Sequence, residues 1–573
     1  MSIDGTLRAG VEAWIADDPD PGDQDELRGL LADDGPAAAA ELADRFAARL
    51  EFGTAGLRGV VAAGPNRMNR AVVRAATAAL AGWLLARDPG AARAGVVIGC
   101  DARHRSAAFA DEAARVLAGA GLRVHLLPRP GPTPLLAFSV RYLSAAAAVM
   151  ITASHNPAAD NGYKLYLADG AQIIPPADAE IEAAIRALGP LSAVPVSGLD
   201  DPLITRHGGE IAEAYLTAIT GLPGADPAGV PARVVYTAMH GVARPLMLAA
   251  IARAGFPAPG VVAAQADPDP DFPTVAFPNP EEPGALDLAF AQARATGADL
   301  VLASDPDGDR LAVAVPAPAA GEGDQDGGWR RFTGDQVGAL LGAYLLDQTA
   351  GQPDPGTRLV ATTIVSSTLL SKIAAAAGAR HAETLTGFKW IVRAGPPGSR
   401  FLLGYEEALG YAVGDVVRDK DGMGAALAVL GLAARQRQAG RSLVDAYDEL
   451  ERRHGVHLTG QLTVRTHTPG QTMAALRADP PAALGAAPVL AMEDLLAAAD
   501  PAGGGRGLPP ADVIIYRLEG ARVVIRPSGT EPKLKVYFEV VEPVADGLAG
   551  ARRAAAARLE PLRAAAAKLL ADG

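Results

Sequence analysis

Short apolar segments alternate with helical ones three times along this chain, and that alternation limits what it can fold into more than any other feature. The first run predicts a strand at Val96–Cys100, a helix at Ser106–Ala120, a strand at Val124–Leu127, a helix at Thr133–Tyr142 and a strand at Ala145–Ile151. The second predicts strands at Arg233–Thr237, Gly260–Ala264 and Ala298–Ala303, with helices at Arg244–Ala254 and Asp287–Thr296. The third predicts strands at Arg358–Thr362, His381–Thr384 and Ser399–Leu403 around a helix at Ser367–Gly378. Such alternation argues for α/β architecture with parallel sheets. In each run a polar cluster follows a late strand, and ligands of open α/β sheets bind beyond the carboxyl ends of strands. Three such loops are expected to surround one cleft. The last segment differs: strands at Leu462–Arg465, Val513–Leu518, Arg522–Ile525 and Lys533–Val540, then a helix at Ala545–Leu569, read as a smaller α+β domain. Stretches rich in Pro, Gly and Asp at Leu188–Asp201, Pro316–Gly328 and Asp500–Pro510 mark the joints. The expected domains are 1–200, which includes an acidic helical extension over residues 1–50, then 201–318, 319–450 and 451–573.

Bulk properties exclude several classes. At 573 residues, and with domains of roughly 100–200 residues, about four domains are expected. The net charge of −13 argues against nucleic-acid or anionic-membrane partners, so an anionic ligand needs local cationic clusters. Cys100 is the single cysteine, so no intrachain disulfide forms, which fits a reducing cytoplasm. Met1–Gly10 shows neither a basic n-region nor an apolar core, and no apolar run reaches the roughly 18 residues that span a membrane. A cytoplasmic enzyme, monomeric or weakly dimeric, is expected.

Three loops carry the chemistry. Thr152-Ala-Ser-His-Asn-Pro157 places Ser154 at the end of an apolar strand, beside His155. A serine hydroxyl is a weak nucleophile, but its phosphate ester is a good phosphoryl donor once the oxygens are neutralised. The competing reading is a serine that caps a turn. Asp305-Pro-Asp-Gly-Asp-Arg310 offers carboxylates at alternate positions; in an extended loop they share one side, and Gly308 permits a bend. Hard oxygens without nearby His or Cys favour Mg²⁺. An EF-hand start is the alternative, but the preceding strand and the absence of a distal Glu at Val313–Pro316 count against it. Arg310 can orient a phosphate. Gly404-Tyr-Glu-Glu407 supplies Glu406 and Glu407 for sugar hydroxyls.

Further loops are supporting. Arg526-Pro-Ser-Gly-Thr-Glu-Pro-Lys533 combines a guanidinium with Ser528, Gly529 and Thr530, a set that can wrap a dianionic phosphate; the competing reading is a plain strand–turn–strand connection. Glu51–Gly59 combines three glycines with Thr54 and Arg58. Lys164 and Lys420 are both candidates to move the sugar hydroxyl proton, if a pKa is lowered, or simply to hold phosphate. Thr386 lies in a further polar loop, and His240 reads as a structural hydrogen-bonder.

Taken in order, the serine loop, the Asp305–Arg310 loop, the Gly404–Gly410 loop and the Arg526–Pro532 loop resemble those of the α-D-phosphohexomutase family, and Phe52–Gly59 and Thr237–Val242 are most similar to its phosphoglucomutase/phosphopentomutase branch. The resemblance implies three related α/β domains and a smaller closing domain. It implies a phosphoserine at Ser154, and one Mg²⁺ held by that group with Asp305, Asp307 and Asp309. It further implies phosphoryl transfer between the hydroxyls of a sugar phosphate through a bisphosphate such as glucose 1,6-bisphosphate, which doubles as activator. Arg526, Ser528, Gly529 and Thr530 would hold the non-reacting phosphate and Glu406 the sugar. Arg58, His155, Lys164 and Lys420 would serve catalysis. Interconversion of glucose 1-phosphate and glucose 6-phosphate is the leading expectation, with mannose and pentose phosphates as alternatives. Ala408 stands where many family members carry a serine, which loosens the expectation of strict glucose preference.

Overall fold

The computed structural model describes residues 3–317, 328–466, 468–497, 508–528 and 533–571. By contacts the chain divides into two compact units. The first holds residues 1–227, 231–331 and 410–430; the second holds 228–230, 332–409 and 431–573.

In the first unit three helices, Gly5–Asp17, Pro21–Ala32 and Pro36–Phe46, form the amino-terminal extension. Their starts follow from side-chain chemistry. Asp4 accepts from the Leu7 amide at 2.7 Å and Asp20 from the Gly22 amide at 2.9 Å, and prolines occupy the first helical positions of the second and third helices. Val11, Leu27 and Leu42 are fully buried where these helices meet.

Behind them stands a six-stranded sheet in the order Leu57–Val60, Asp160–Leu167, Ala147–Ile151, Val96–Cys100, Val124–Leu126, Ile204–Arg206. The last four are parallel; Asp160–Leu167 runs antiparallel to both its neighbours. Every residue of Ala147–Ile151 and Val96–Cys100 is buried, as strands covered on both faces must be. Burial of Val149 and Ile151 contributes roughly 1.5–3 kcal/mol each. The second sheet of this unit runs Trp329–Arg331, Leu311–Pro316, Leu300–Ser304, Val234–Thr237, Gly260–Val261.

In the second unit the strands Arg380–Thr384, Arg358–Thr363 and Arg400–Glu406 pair in parallel, with Arg358–Thr363 central. The helix Gly334–Gln348 begins at a capping box made by Thr333 and Gln336. Its carboxyl-terminal part is an antiparallel sheet ordered Val456–Arg465, Lys533–Glu542, Ala521–Pro527, Ile514–Leu518, Ala491–Asp494. The helix Leu548–Ala571 lays Leu559, Leu562 and Ala566 on Val523, Ile525, Val536 and Phe538 of that sheet. Three α/β modules and an antiparallel α+β module are therefore present.

Four expectations need correction. The segment Gly260–Ala264 is a strand only over Gly260–Val261; Ala263–Gln265 turns instead, because Gln265 bends in to take a hydrogen bond from Thr237 Oγ1 at 2.6 Å. The strand predicted at Ser399–Leu403 runs on through Glu406, so Glu406 sits on the strand and not past it. Glu51–Gly59 is not one loop: after a turn at Gly53–Gly56, Leu57–Val60 is an edge strand. Asp305–Gly308 is a turn and not extended chain, closed by the Gly308 amide on the Asp305 carbonyl at 3.0 Å.

Candidate active site

The strand Ala147–Ile151 delivers the serine loop. Thr152 Oγ1 donates to Asp101 Oδ2 at 2.6 Å and accepts from the Ser154 amide at 2.8 Å. The chain then turns sharply, with Ser154 in the left-handed region at φ 52°, a conformation that non-glycine residues adopt only under constraint. Asn156 bonds Asp160 Oδ2 at 2.8 Å and accepts from Arg58 at 2.9 Å.

The strand Leu300–Ser304 delivers the three aspartates. Gly308, at φ 72°, makes the bend; a Cβ there would lie 2.9 Å from Ala243 Cβ. Asp305, Asp307 and Asp309 are wholly buried, and one oxygen from each converges within 4.8 Å. The two loops meet. Ser154 Oγ donates to Asp305 Oδ2 at 2.9 Å and lies 3.2 Å from His155 Nδ1. Lys164, on the antiparallel strand, reaches Asp307 at 2.7 Å and Asp309 at 3.1 Å. Lys420 stands 3.3 Å from Asp309. The Arg310 amide caps Asp305 Oδ1 at 3.0 Å.

Arg58 enters from the edge strand, where Gly56 lets the turn press on the neighbouring strand; a Cβ on Gly56 would strike the Tyr163 carbonyl at 1.8 Å. In the first unit, then, Ser154, His155, Arg58, Lys164, Lys420, Arg310 and the three aspartates share one site. Thr54 lies in the adjoining turn.

The electrostatics explain the geometry. Burial first, then Asp307 and Asp309, drive the Asp305 carboxyl well above its ordinary range. Burial also opposes ionisation of Asp307, but the Lys164 ammonium overcomes it and holds this carboxyl low. Lys164 is raised: burial pulls it down, and Asp307 and Asp309 more than compensate. A lysine with a lowered pKa is therefore not what this arrangement provides. His155 is held well below its ordinary value, by burial first and then by Arg310 and Arg58, so its ring is neutral.

The three carboxylates could hold a hard cation. The Oδ1 atoms of Asp307 and Asp309 are buried without a hydrogen-bond partner, and buried polar atoms of that kind call for an ion or water. An all-oxygen donor set suits Mg²⁺ and not zinc.

The second unit gathers a different set. Glu406 ends the strand Arg400–Glu406 and Glu407 opens the turn after it; the Glu407 carboxyl is pushed up to about 7 by burial, then by Glu406 and Asp335, with Arg526 opposing. Arg526 donates to Tyr537 Oη at 3.1 Å, and the Ser528 amide donates to the Lys533 carbonyl at 2.9 Å. Thr386 stands in the bend before the short helix Phe388–Ile391. Gly529 and Thr530 lie outside the described residues. His240 bonds Thr274 Oγ1 at 2.9 Å, a structural contact.

Sequence reading missed several supports. Thr133 donates to Asp307 through Oγ1 at 2.7 Å and through its amide at 2.9 Å; only the fold brings these residues together. Asp419 accepts from Tyr166 Oη at 2.7 Å and Gln172 at 2.9 Å beside Lys420. Asp101 follows the strand Val96–Cys100 directly, and that position was a readable signal.

Among the described residues no helix is long and apolar enough to cross a membrane. The chain matches all four models of the phosphoglucomutase/phosphomannomutase family: alpha/beta/alpha domain I over residues 49–190, domain II over 213–320, domain III over 333–453, and the C-terminal domain over 476–551. A probable phosphomannomutase of Haemophilus influenzae is 42% identical over 482 residues, 82% of this chain and 93% of that one. A probable phosphoribomutase of Schizosaccharomyces pombe is 37% identical over 568 residues, 94% of each chain. A solved phosphoglucomutase/phosphomannomutase family protein from Burkholderia thailandensis has a TM-score of 0.64 at 21% identity, covering 90% of this chain and 97% of that one, and so speaks for the fold alone. With four family domains in order and relatives this similar over most of its length, the chain belongs to the phosphoglucomutase/phosphomannomutase family and is a mutase of that family, an intramolecular phosphotransferase of the isomerase class.

Proposed function

We propose that the chain interconverts a sugar 1-phosphate and the isomer phosphorylated at its terminal hydroxyl, with Ser154 as the phosphoryl carrier and glucose 1-phosphate/glucose 6-phosphate as the leading pair. One observation carries the reading: the Ser154 hydroxyl sits 2.9 Å from Asp305 inside the buried triad of aspartates. In the first half-reaction the Ser154 Oγ–P bond breaks and a bond forms from phosphorus to the free sugar hydroxyl, whose proton must leave. Neutral His155 is a candidate to accept it, and Lys164 and Lys420 offset the charge that develops on the phosphoryl oxygens. The second half-reaction returns the other phosphate of the bisphosphate to Ser154. Asp305, Asp307, Asp309 and the serine phosphate would hold Mg²⁺, which when bound supplies neutralisation of phosphoryl oxygens. We assign the sugar hydroxyls to Glu406 and Glu407, with Thr54 and Thr386 as further contacts. The non-reacting phosphate goes to Arg526, Ser528 and the loop residues Gly529 and Thr530, with Arg310 as a further cation. A cytoplasmic setting accords with the single buried cysteine.

The test is a coupled assay with glucose 1-phosphate, Mg²⁺ and a trace of glucose 1,6-bisphosphate, run beside Ser154→Ala. Turnover that needs the bisphosphate and disappears in the variant supports the reading; full activity of Ser154→Ala sinks it. A second reading, ribose 1-phosphate to ribose 5-phosphate, is favoured by the fission-yeast relative, which matches 94% of the chain. Comparing kcat/KM for the two sugars separates them.

A further inference from the structure

A buried arginine that contacts neither the aspartates nor Ser154 Oγ holds the serine loop. Arg103 follows the strand Val96–Cys100 and is 4% exposed. Its Nη2 donates to the carbonyls of Ser154 at 2.5 Å and Asn156 at 2.6 Å, and its Nη1 donates to those of Pro157 at 2.7 Å and Asp160 at 3.2 Å. Its Nε lies 3.3 Å from Asp101 Oδ2, the same oxygen that receives the Thr152 hydroxyl. The Phe272 ring covers the guanidinium, 5.0 Å away. One planar cation thus gathers four carbonyls of the segment from Ser154 to Asp160, while Asp101, acting through Thr152, fixes the Ser154 amide.

We propose that Arg103 is a positioning residue for phosphoryl transfer: it holds Ser154 in its left-handed conformation, so that Oγ stays aimed at the aspartate triad through both half-reactions. The inference rests on the reading of Ser154 as phosphoryl carrier. Several observations favour positioning over plain packing. The contacts converge on the segment between the two strands that carries the serine and on the first residue of the second strand, and the φ of 52° at Ser154 would relax without an outside restraint. The four Nη N–H donors of the rigid guanidinium serve four carbonyls at once, and the three donors of a lysine ammonium cannot. Misplacement of a reacting group by about an ångström costs on the order of a hundredfold in rate.

The experiment uses the full chain as wild type, Arg103→Lys, Arg103→Ala and Ser154→Ala. Each is incubated with Mg²⁺ and either glucose 1,6-bisphosphate or ribose 1,5-bisphosphate. Phosphate on Ser154 is followed by intact mass and by ³¹P NMR, and steady-state rates are taken on the matching monophosphate. The expected result is a kcat lowered about a hundredfold in Arg103→Ala and about tenfold in Arg103→Lys, with KM within threefold and a shifted phosphoserine ³¹P line. Guanidinium ion should restore part of the Arg103→Ala rate and none of the Ser154→Ala rate. Phosphorylation and turnover at the wild-type rate in Arg103→Lys overturn the proposal, and that variant decides if Arg103→Ala does not fold. A kcat that falls only in step with the folded fraction overturns it too. A wild type that never acquires phosphate at Ser154 overturns the serine reading, and this proposal with it.

Discussion

The serine–aspartate site of the first unit and the Glu406–Arg526 region of the second are built on opposite plans. In the first, Ser154 and all three aspartates are essentially buried, and each reaches a partner within 3.1 Å before any ligand arrives. Charge is cancelled internally: Lys164 and Lys420 face Asp307 and Asp309. In the second, Glu406, Glu407, Arg526 and Ser528 are only partly buried, and burial, with Glu406 beside it, raises the cost of ionising Glu407. A group that must make and break bonds is fixed in advance, because preorganisation removes reorganisation from the barrier. On the proposed assignment, the groups that accept either end of a ligand are the ones left only partly buried.

Substitutions can break or sharpen this contrast. Asp307→Asn strips the aspartate that ties Lys164 and Thr133 together, and it should lower kcat by at least about a hundredfold and raise the Mg²⁺ concentration for half-maximal rate. A titration of initial rate against Mg²⁺ measures both, and an unchanged midpoint would remove Asp307 from the metal site. Arg526→Ala should act on the other side of the contrast. Losing a charge-assisted phosphate contact, about 1.5–3 kcal/mol, should lower kcat/KM roughly ten- to hundredfold, mainly through KM. A fall confined to kcat would mean that Arg526 belongs to the reacting machinery instead.

The smallest effect concerns stability. The Glu407 carboxyl stands at about 7 in the fold against an ordinary 4.5, so the folded protein holds this proton more tightly than the unfolded chain. Its contribution is most favourable below about pH 4.5, is lost as pH rises towards 7, and is flat above. Glu407→Gln keeps the neutral shape. It should stabilise by about 1–2 kcal/mol at pH 8 and by almost nothing at pH 4.5, read as the difference in Tm from the parent at each pH. An equal shift at both pH values would place the Glu407 carboxylate in water.

Much of this was legible in the sequence because the signals were local. An apolar run such as Ala147–Ile151, which ends in Ser-His-Asn-Pro, reports both a buried strand and what lies past it. Asp305, Asp307 and Asp309 were readable by donor chemistry, although their convergence comes from a turn at Gly308 and not from extended chain. What stayed hidden depends on contacts distant in sequence. Lys164 was legible only as a nearby cation, but it stands on a strand paired on both edges, and that pairing aims it at Asp307. The roles of Thr133 and Asp419 likewise exist only once separate modules are folded. Of the two readings open for Lys164, a lowered pKa or a held phosphate, the first does not fit: its two carboxylate neighbours, invisible to local spacing, raise its pKa.

The chain leaves the first unit at residue 332, returns for residues 410–430, and leaves again at 431. Lys420 and Asp419 ride on that brief return. During synthesis the serine and aspartate loops therefore emerge long before the lysine that completes their surroundings, and a chain stopped anywhere before residue 419 has the nucleophile without this cation. No single cut yields the first unit whole. Expressing it alone would require joining residue 227 to 231 and residue 331 to 410 across the missing inserts, so neither unit is made from one uninterrupted length of chain.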